Sequence, residues 1–211
     1  MTAALTLQSL PLFPLSAVLF PEGLMSLRIF EVRYLDMISR CRKAGAPFGV
    51  VSLTQGAEVR LPGQPQESFS QVGTIATIET FESPKPGLML IRASGAQRFR
   101  ITQSDQLRHG LWVADVERVP DDLVVGVPDD LRNTAEALSR LIDSLQRKAG
   151  EGEALPLQPP WRFDDCGWVA NRWCELLPLP VTLKQRLMEL DNPLVRLELV
   201  SDVLARTGIT T

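Results

Sequence analysis

Charge is missing from the start of this chain, where no residue before Glu22 carries a charged side chain. A secretory leader needs early positive charge, an unbroken apolar centre and a small-residue cleavage site, and this stretch offers none of them. Nor is it a membrane span. Pro11, Pro14 and Pro21 interrupt "LPLFPLSAVLFPEGL" (10–24), each removing a backbone donor that lipid cannot replace. Later apolar runs are strand-sized, so no membrane partner is expected. The pieces Leu10 to Phe13 and Ala17 to Phe20 suit short extended segments, buried on both sides or lying at a sheet edge.

Histidine and cysteine are scarce as well. His109 is the one histidine, and Cys41, Cys166 and Cys174 have no two-residue spacing, which argues against a zinc site and a disulfide framework. A cytoplasmic location fits this usage, and neither metal nor cofactor is expected. The net charge of −3 gives no general attraction to nucleic acid or anionic lipid. There is also no G-x-x-x-x-G-K-[ST] loop to cradle nucleotide phosphates.

What is present is apolar content, 45% of 211 residues, enough to bury roughly 70% of the unfolded surface. Residues 1–120 hold 12 Lys/Arg against 10 Asp/Glu, and residues 121–211 hold 10 against 15. The hydrophobic period changes at the same place. "FGVVSL", "TIATIETF", "LMLIRA", "QRFRIT" and "LWVADVERV" read as strands, with "ESPKPG" as a hairpin turn. In "QRFRIT", Phe99 and Ile101 fall on one face, Arg98 and Arg100 on the other. Such strands predict an antiparallel sheet curled into a barrel. One helix interrupts them: in "FEVRYLDMISRCRKAG" an apolar stripe of Phe30, Tyr34, Met37, Ile38 and Cys41 ends at Gly45.

Beyond Pro120 the period is helical. A helix over "PDDLRNTAEALSRLIDSLQRKAG" presents Leu131, Ala135, Leu138, Ile142 and Leu145 on one side. A second opens at Asp164 or Asp165 and stops before Pro178. A third opens on a capping box of Thr182 and Gln185, and a fourth has Pro193 near its first position and Gly208 after it. The expected fold is therefore α+β: a β-barrel subdomain with one helix over 1–120, then a helical bundle over 121–211.

In their order along the chain, "LPLFPLSAVLFPEGLMSLRIFEVRYLDMI", "GTIATI", "GAQRFRI" and "LPLPVTLKQRLMELDNPLVRLELV" resemble the Lon substrate-binding domain, the N-terminal domain of ATP-dependent Lon proteases. The chain looks like the stand-alone bacterial version, without the ATPase and the Ser-Lys peptidase. The resemblance implies a partly open, PUA-like barrel followed by a helical subdomain. It also implies non-catalytic recognition of unfolded or damaged protein, with a separate protease as a further candidate partner. Cereblon contains a similar domain and uses it for partner contacts.

Candidate residues have both functional and structural readings. Glu31, Arg33 and Tyr34 in "FEVRY", with Arg98 and Arg100 in "RFR", form either a polar ligand site or ion pairs tying the first helix to the barrel; structure is the simpler account. Gly73 and Gly95 read as positions where a Cβ would interfere. Acidic doublets at 121/122, 129/130 and 164/165 suit capping better than metal binding. Trp112, Trp161 and Phe163 are the candidate peptide anchors, in a cleft between barrel and bundle. The rival readings are an RNA-binding PUA-like module, which lacks the expected basic face, and a small hydrolase built on His109, Cys41 or the carboxylates. The purified chain is expected neither to hydrolyse ATP nor to cleave casein; a rate that survives repurification and vanishes on a point mutation contradicts this.

Overall fold

The computed structural model describes residues 6–59, 66–150 and 155–209. The stretch "EGEALPLQPPWRF" reads from its prolines as an extended connection, and its first part, 151–154, lies outside the described residues. The chain divides into two compact units, Met1–Asp121 and Asp122–Thr211.

The first unit contains β1 (Thr6–Leu15), β2 (Leu24–Ile29), α1 (Val32–Ala44), β3 (Phe48–Gln55), β4 (Ser68–Phe69), β5 (Val72–Lys85), β6 (Leu88–Gln106) and β7 (Trp112–Arg118). Hydrogen-bonded neighbours run β1-β7-β6-β5-β3-β4, β2 adds to β6, and β1 also meets β3. The sheet is thus partly closed on itself. One pair departs from the expected antiparallel scheme: β1 lies parallel to β3, from Leu12 opposite Gly49 to Leu15 opposite Ser52. Parallel strands need a long crossover, and β2 with α1 supplies it. Pro11 sits opposite Val113 of β7, and Pro14 opposite Val51 of β3. Each edge of β1 is therefore paired over only part of its length, leaving stretches where a missing donor is tolerated.

Two apolar clusters explain the run of hydrophobic residues in β1. Leu10 and Leu12 pack with Val51, Ile75, Phe99, Ile101 and Val116. Phe13 and Leu15 turn to the other cluster, with Tyr34, Met37 and Ile38 of α1 and Phe48 of β3. The segment Ala17 to Phe20 is irregular, not extended. Leu19 and Phe20 are nonetheless buried. The Thr74 hydroxyl donates to the Leu19 carbonyl at 2.6 Å, and Glu22 N–H donates to the Gly95 carbonyl at 2.8 Å.

The two segments "LMLIRA" and "QRFRIT" form one 19-residue strand, β6, running through Gly95. A Cβ on Gly95 would lie 2.2 Å from the Phe20 carbonyl oxygen. On the barrel side, the Phe99 ring occupies the space beside Gly49 and Gly73, 2.8 and 2.7 Å from where their Cβ atoms would be. Arg98 is buried and donates to the Pro120 carbonyl at 3.5 Å, whereas Arg100 is exposed.

Helix α1 starts two residues later than its apolar stripe suggests. Strand β2 runs to Ile29, so Phe30 falls in the turn before the helix and is 52% exposed. Gly45 closes the helix at φ 60°, a conformation glycine adopts without strain.

The second unit is helical. A 3-10 turn, Asp129–Leu131, leads into α2 (Arg132–Lys148), followed by α3 (Cys166–Leu176), α4 (Val181–Glu189) and α5 (Pro193–Arg206). Asp165 caps α3 by accepting from Gly167 and Trp168 N–H, and Asn192 caps α5 by accepting from Leu194 and Val195 N–H. The capping box at Thr182 does not form. Pro180 opens α4 two residues earlier, placing Thr182 inside the first turn, and Gln185 donates instead to Glu189 at 2.7 Å. Helix α3 packs against α2, α4 and α5. Its Trp173 indole donates to the Thr134 carbonyl of α2 at 3.0 Å.

Replacing Gly95 with alanine forces a backbone clash and is expected to cost about 1–3 kcal/mol. Equilibrium denaturation checks this, with an unchanged midpoint as the contrary result.

Candidate binding site

In the first unit, burial of Arg33 creates a polar cluster. Arg33 is the second residue of α1 and is almost wholly buried, although its place off the apolar stripe predicts exposure. Its Nη2 donates to Glu67 Oε1 at 2.7 Å, its Nη1 to the Gly110 carbonyl at 2.9 Å, and its Nε to Glu31 Oε2 at 3.2 Å. Desolvation pulls the Arg33 pKa down, but the Glu67 hydrogen bond and nearby acids outweigh it and hold it above its ordinary value. The guanidinium also lies 4.5 Å from the Tyr34 ring centroid, and Tyr34 stacks on Phe13 at 4.1 Å. Burial raises the Tyr34 pKa, so the phenol stays neutral.

Trp112 joins this cluster. Its indole N–H donates to Glu67 Oε2 at 2.8 Å, and its ring meets Phe69 edge-on at 5.2 Å. The geometry therefore unites Glu31, Arg33, Tyr34 and Trp112 around Glu67, while Arg98 is held elsewhere by Pro120. Glu67 carried no local signal in the sequence, because its two partners, Arg33 of α1 and Trp112 of β7, are distant from it along the chain.

Trp161 and Phe163 lie in the second unit, where both meet Trp168 edge-to-face, with centroids 6.2 and 5.5 Å away. All three anchor candidates are partly exposed. Phe163 also lines a half-open groove of about 380 Å³ with Val127, Ala135 and Asp164. Backbone pairing assembles that wall: Val127 N–H donates to the Asp164 carbonyl at 3.0 Å, and Cys166 N–H to the Val125 carbonyl at 2.9 Å. Val127 and Ala135 were missed as site residues because nothing local distinguishes them from core.

Reactive chemistry is poorly served by the groups present. All three cysteines are buried free thiols. Burial raises their pKa values, to about 12 at Cys174, which disfavours thiolate. His109 is exposed in the β6–β7 loop. Among the described residues, no three His, Cys, Asp or Glu side chains gather to hold a metal. Of the acidic doublets, Asp165 is a cap, Asp129 pairs with Arg132 at 2.6 Å, and Asp122 pairs with buried Arg196 at 2.5 Å.

A fold with a partly closed sheet, one packed helix and a following helical unit is shared by solved structures. The model of the ATP-dependent protease La (LON) substrate-binding domain matches residues 9–206. The chain belongs to the Lon substrate-binding domain family. A crystal structure of a Lon N-terminal domain protein from Xanthomonas campestris is 31% identical, with a TM-score of 0.70 over 93% of this chain and 98% of that one. The N-terminal domain of a Mycobacterium avium complex Lon protease shares the fold at TM-score 0.57 and 20% identity, over 92% and 97% of the two chains. Lon protease from Heliobacterium modesticaldum is 26% identical over 95% of this chain, and Lon protease 2 from Herpetosiphon aurantiacus 27% over 97%. The chain spans 24% of the length of each of these two relatives. Among the described residues of this Lon-type domain, no helix is long and apolar enough to cross a membrane.

In this domain, Glu67→Gln leaves Arg33 buried with weaker compensation and is expected to cost about 3 kcal/mol. The double variant Arg33→Met/Glu67→Gln should lose less than the sum of the two single changes, measured by urea denaturation. Additive losses would show that the pair is not coupled.

Proposed function

We propose that this chain is a non-catalytic recognition module for unfolded or damaged polypeptide, working in the cytoplasm through reversible contacts. Its architecture is then a PUA-like barrel followed by a helical bundle, and its partners are unfolded clients and a separate protease that receives them. The single observation carrying this reading is the substrate-binding family match across nearly the whole chain. The partly exposed aromatics support it. Trp161, Phe163 and Trp112 combine large apolar area with few rotatable bonds, which suits them to anchor an extended chain without covalent chemistry. Burial of the thiols supports a binding rather than a reactive role.

Recognition of this kind needs no preformed sequence code. An unfolded client exposes apolar side chains that its folded form hides, and desolvating one against an aromatic cluster contributes roughly 1.5–3 kcal/mol. Several weak sites on one client then add by effective concentration. Trp161→Ala removes a partly exposed anchor while leaving Phe163 against Trp168. It should weaken binding of a labelled, permanently unfolded client by about tenfold or more, with the melting temperature nearly unchanged. Unaltered affinity, or parallel losses of affinity and stability, would assign Trp161 to packing.

A further inference from the structure

Helix α2 presents Arg132, Ala135, Glu136 and Ser139 to the groove, a spacing that places them along one helical face. Opposite them stand Val127, Phe163 and Asp164. The floor is thus apolar and the rim carries charge of mostly one sign. Asp164 and Glu136 are exposed, as are Asp129 and Asp130 at the start of α2. The rim cation, Arg132, is engaged by Asp129 at 2.6 Å. Arg140 approaches Glu136 only to 3.8 Å, with both side chains more than half exposed, a pairing that contributes little in water. Residues 121–211 as a whole carry five more acidic than basic side chains.

We infer that this groove selects extended polypeptide segments in which an apolar side chain is flanked by lysine or arginine. The inference deepens the proposed function and rests on it. A volume of about 380 Å³ lies at the small end of ligand-sized clefts and suits one anchoring side chain rather than a folded surface. The apolar side chain displaces water from Phe163, Ala135 and Val127, while the flanking cations meet Asp164 and Glu136. An apolar lead-in continues from Val127 along the same segment, where Leu123 and Val124 are 80% and 82% exposed. A segment flanked by acids has the same apolar gain but is repelled at both rim carboxylates, so charge decides among clients of equal hydrophobicity. The same rim disfavours polyanions.

The test uses the whole chain and two fluorescent peptides of equal length and identical apolar residues, one flanked by lysines and the other by glutamates. Fluorescence anisotropy should show the lysine peptide binding roughly tenfold more tightly at low salt, the advantage shrinking as added salt screens the rim. Glu136→Lys/Asp164→Lys should reverse the preference. Asp202→Lys, a charge change on the exposed face of α5, should leave it in place and so separate the groove from overall charge. Equal affinity for the two peptides, or the same response in Asp202→Lys, would overturn the charge selection while leaving peptide binding intact. Failure of either peptide to bind would remove the underlying function. Self-association that the double variant abolishes would assign the groove to a second copy of this chain, against the inference.

Discussion

Strands β1 and β3 each stand between two apolar clusters, and this two-sided burial is the constraint on which the first unit depends. Residues of β1 alternate between clusters, Leu10 and Leu12 inward to Phe99, Phe13 and Leu15 outward to α1. At roughly 1.5–3 kcal/mol for each fully buried side chain, neither face can turn to water without heavy loss. The parallel seam with β3 follows from the same demand. Crossing over through α1 lets the helix cover the outward cluster before the chain returns beside its own first strand.

Buried charge is the second organising element, and the two units handle it alike. Arg33 reaches Glu67, Glu31 and a loop carbonyl; Arg196 reaches Asp122, Asn171 and the carbonyls of Leu187 and Leu190. Desolvating a guanidinium is costly, and a single ion pair returns only part of that cost. Several acceptors fixed in place around it return more, at the expense of permitting one arrangement of the surrounding elements. In the first unit that arrangement brings Trp112 to the surface with its indole nitrogen held and its ring partly open.

Periodicity made most of the fold legible. Helices α2, α3 and α5 follow apolar stripes several turns long, the strands around "FGVVSL" and "QRFRIT" follow shorter apolar patterns, and Asp165 caps as its position suggests. Local spacing misled where a neighbouring element intervened: Phe30 was taken into the turn by β2, and Pro180 pre-empted Thr182. The parallel β1–β3 pair has no sequence signature, since period-two alternation is the same in either direction. Arg33 shows the limit for sites. Its burial is set by Glu67 and Gly110, 34 and 77 residues away. The groove wall at Val127 and Phe163 likewise exists because backbone pairing joins two loops that are distant in sequence.

Phe99 sits where Gly73, opposite it on β5, and Gly49, one strand further along on β3, have no side chain to offer. Those three positions share one allotment of space, so none of them is free to change size alone. Shrinking the ring alone would release neither glycine: a methyl at 49 still presses on Leu12 and Leu10 at 2.9 and 3.0 Å, and one at 73 still meets the Val50 carbonyl oxygen at 2.4 Å, which no change at 99 removes.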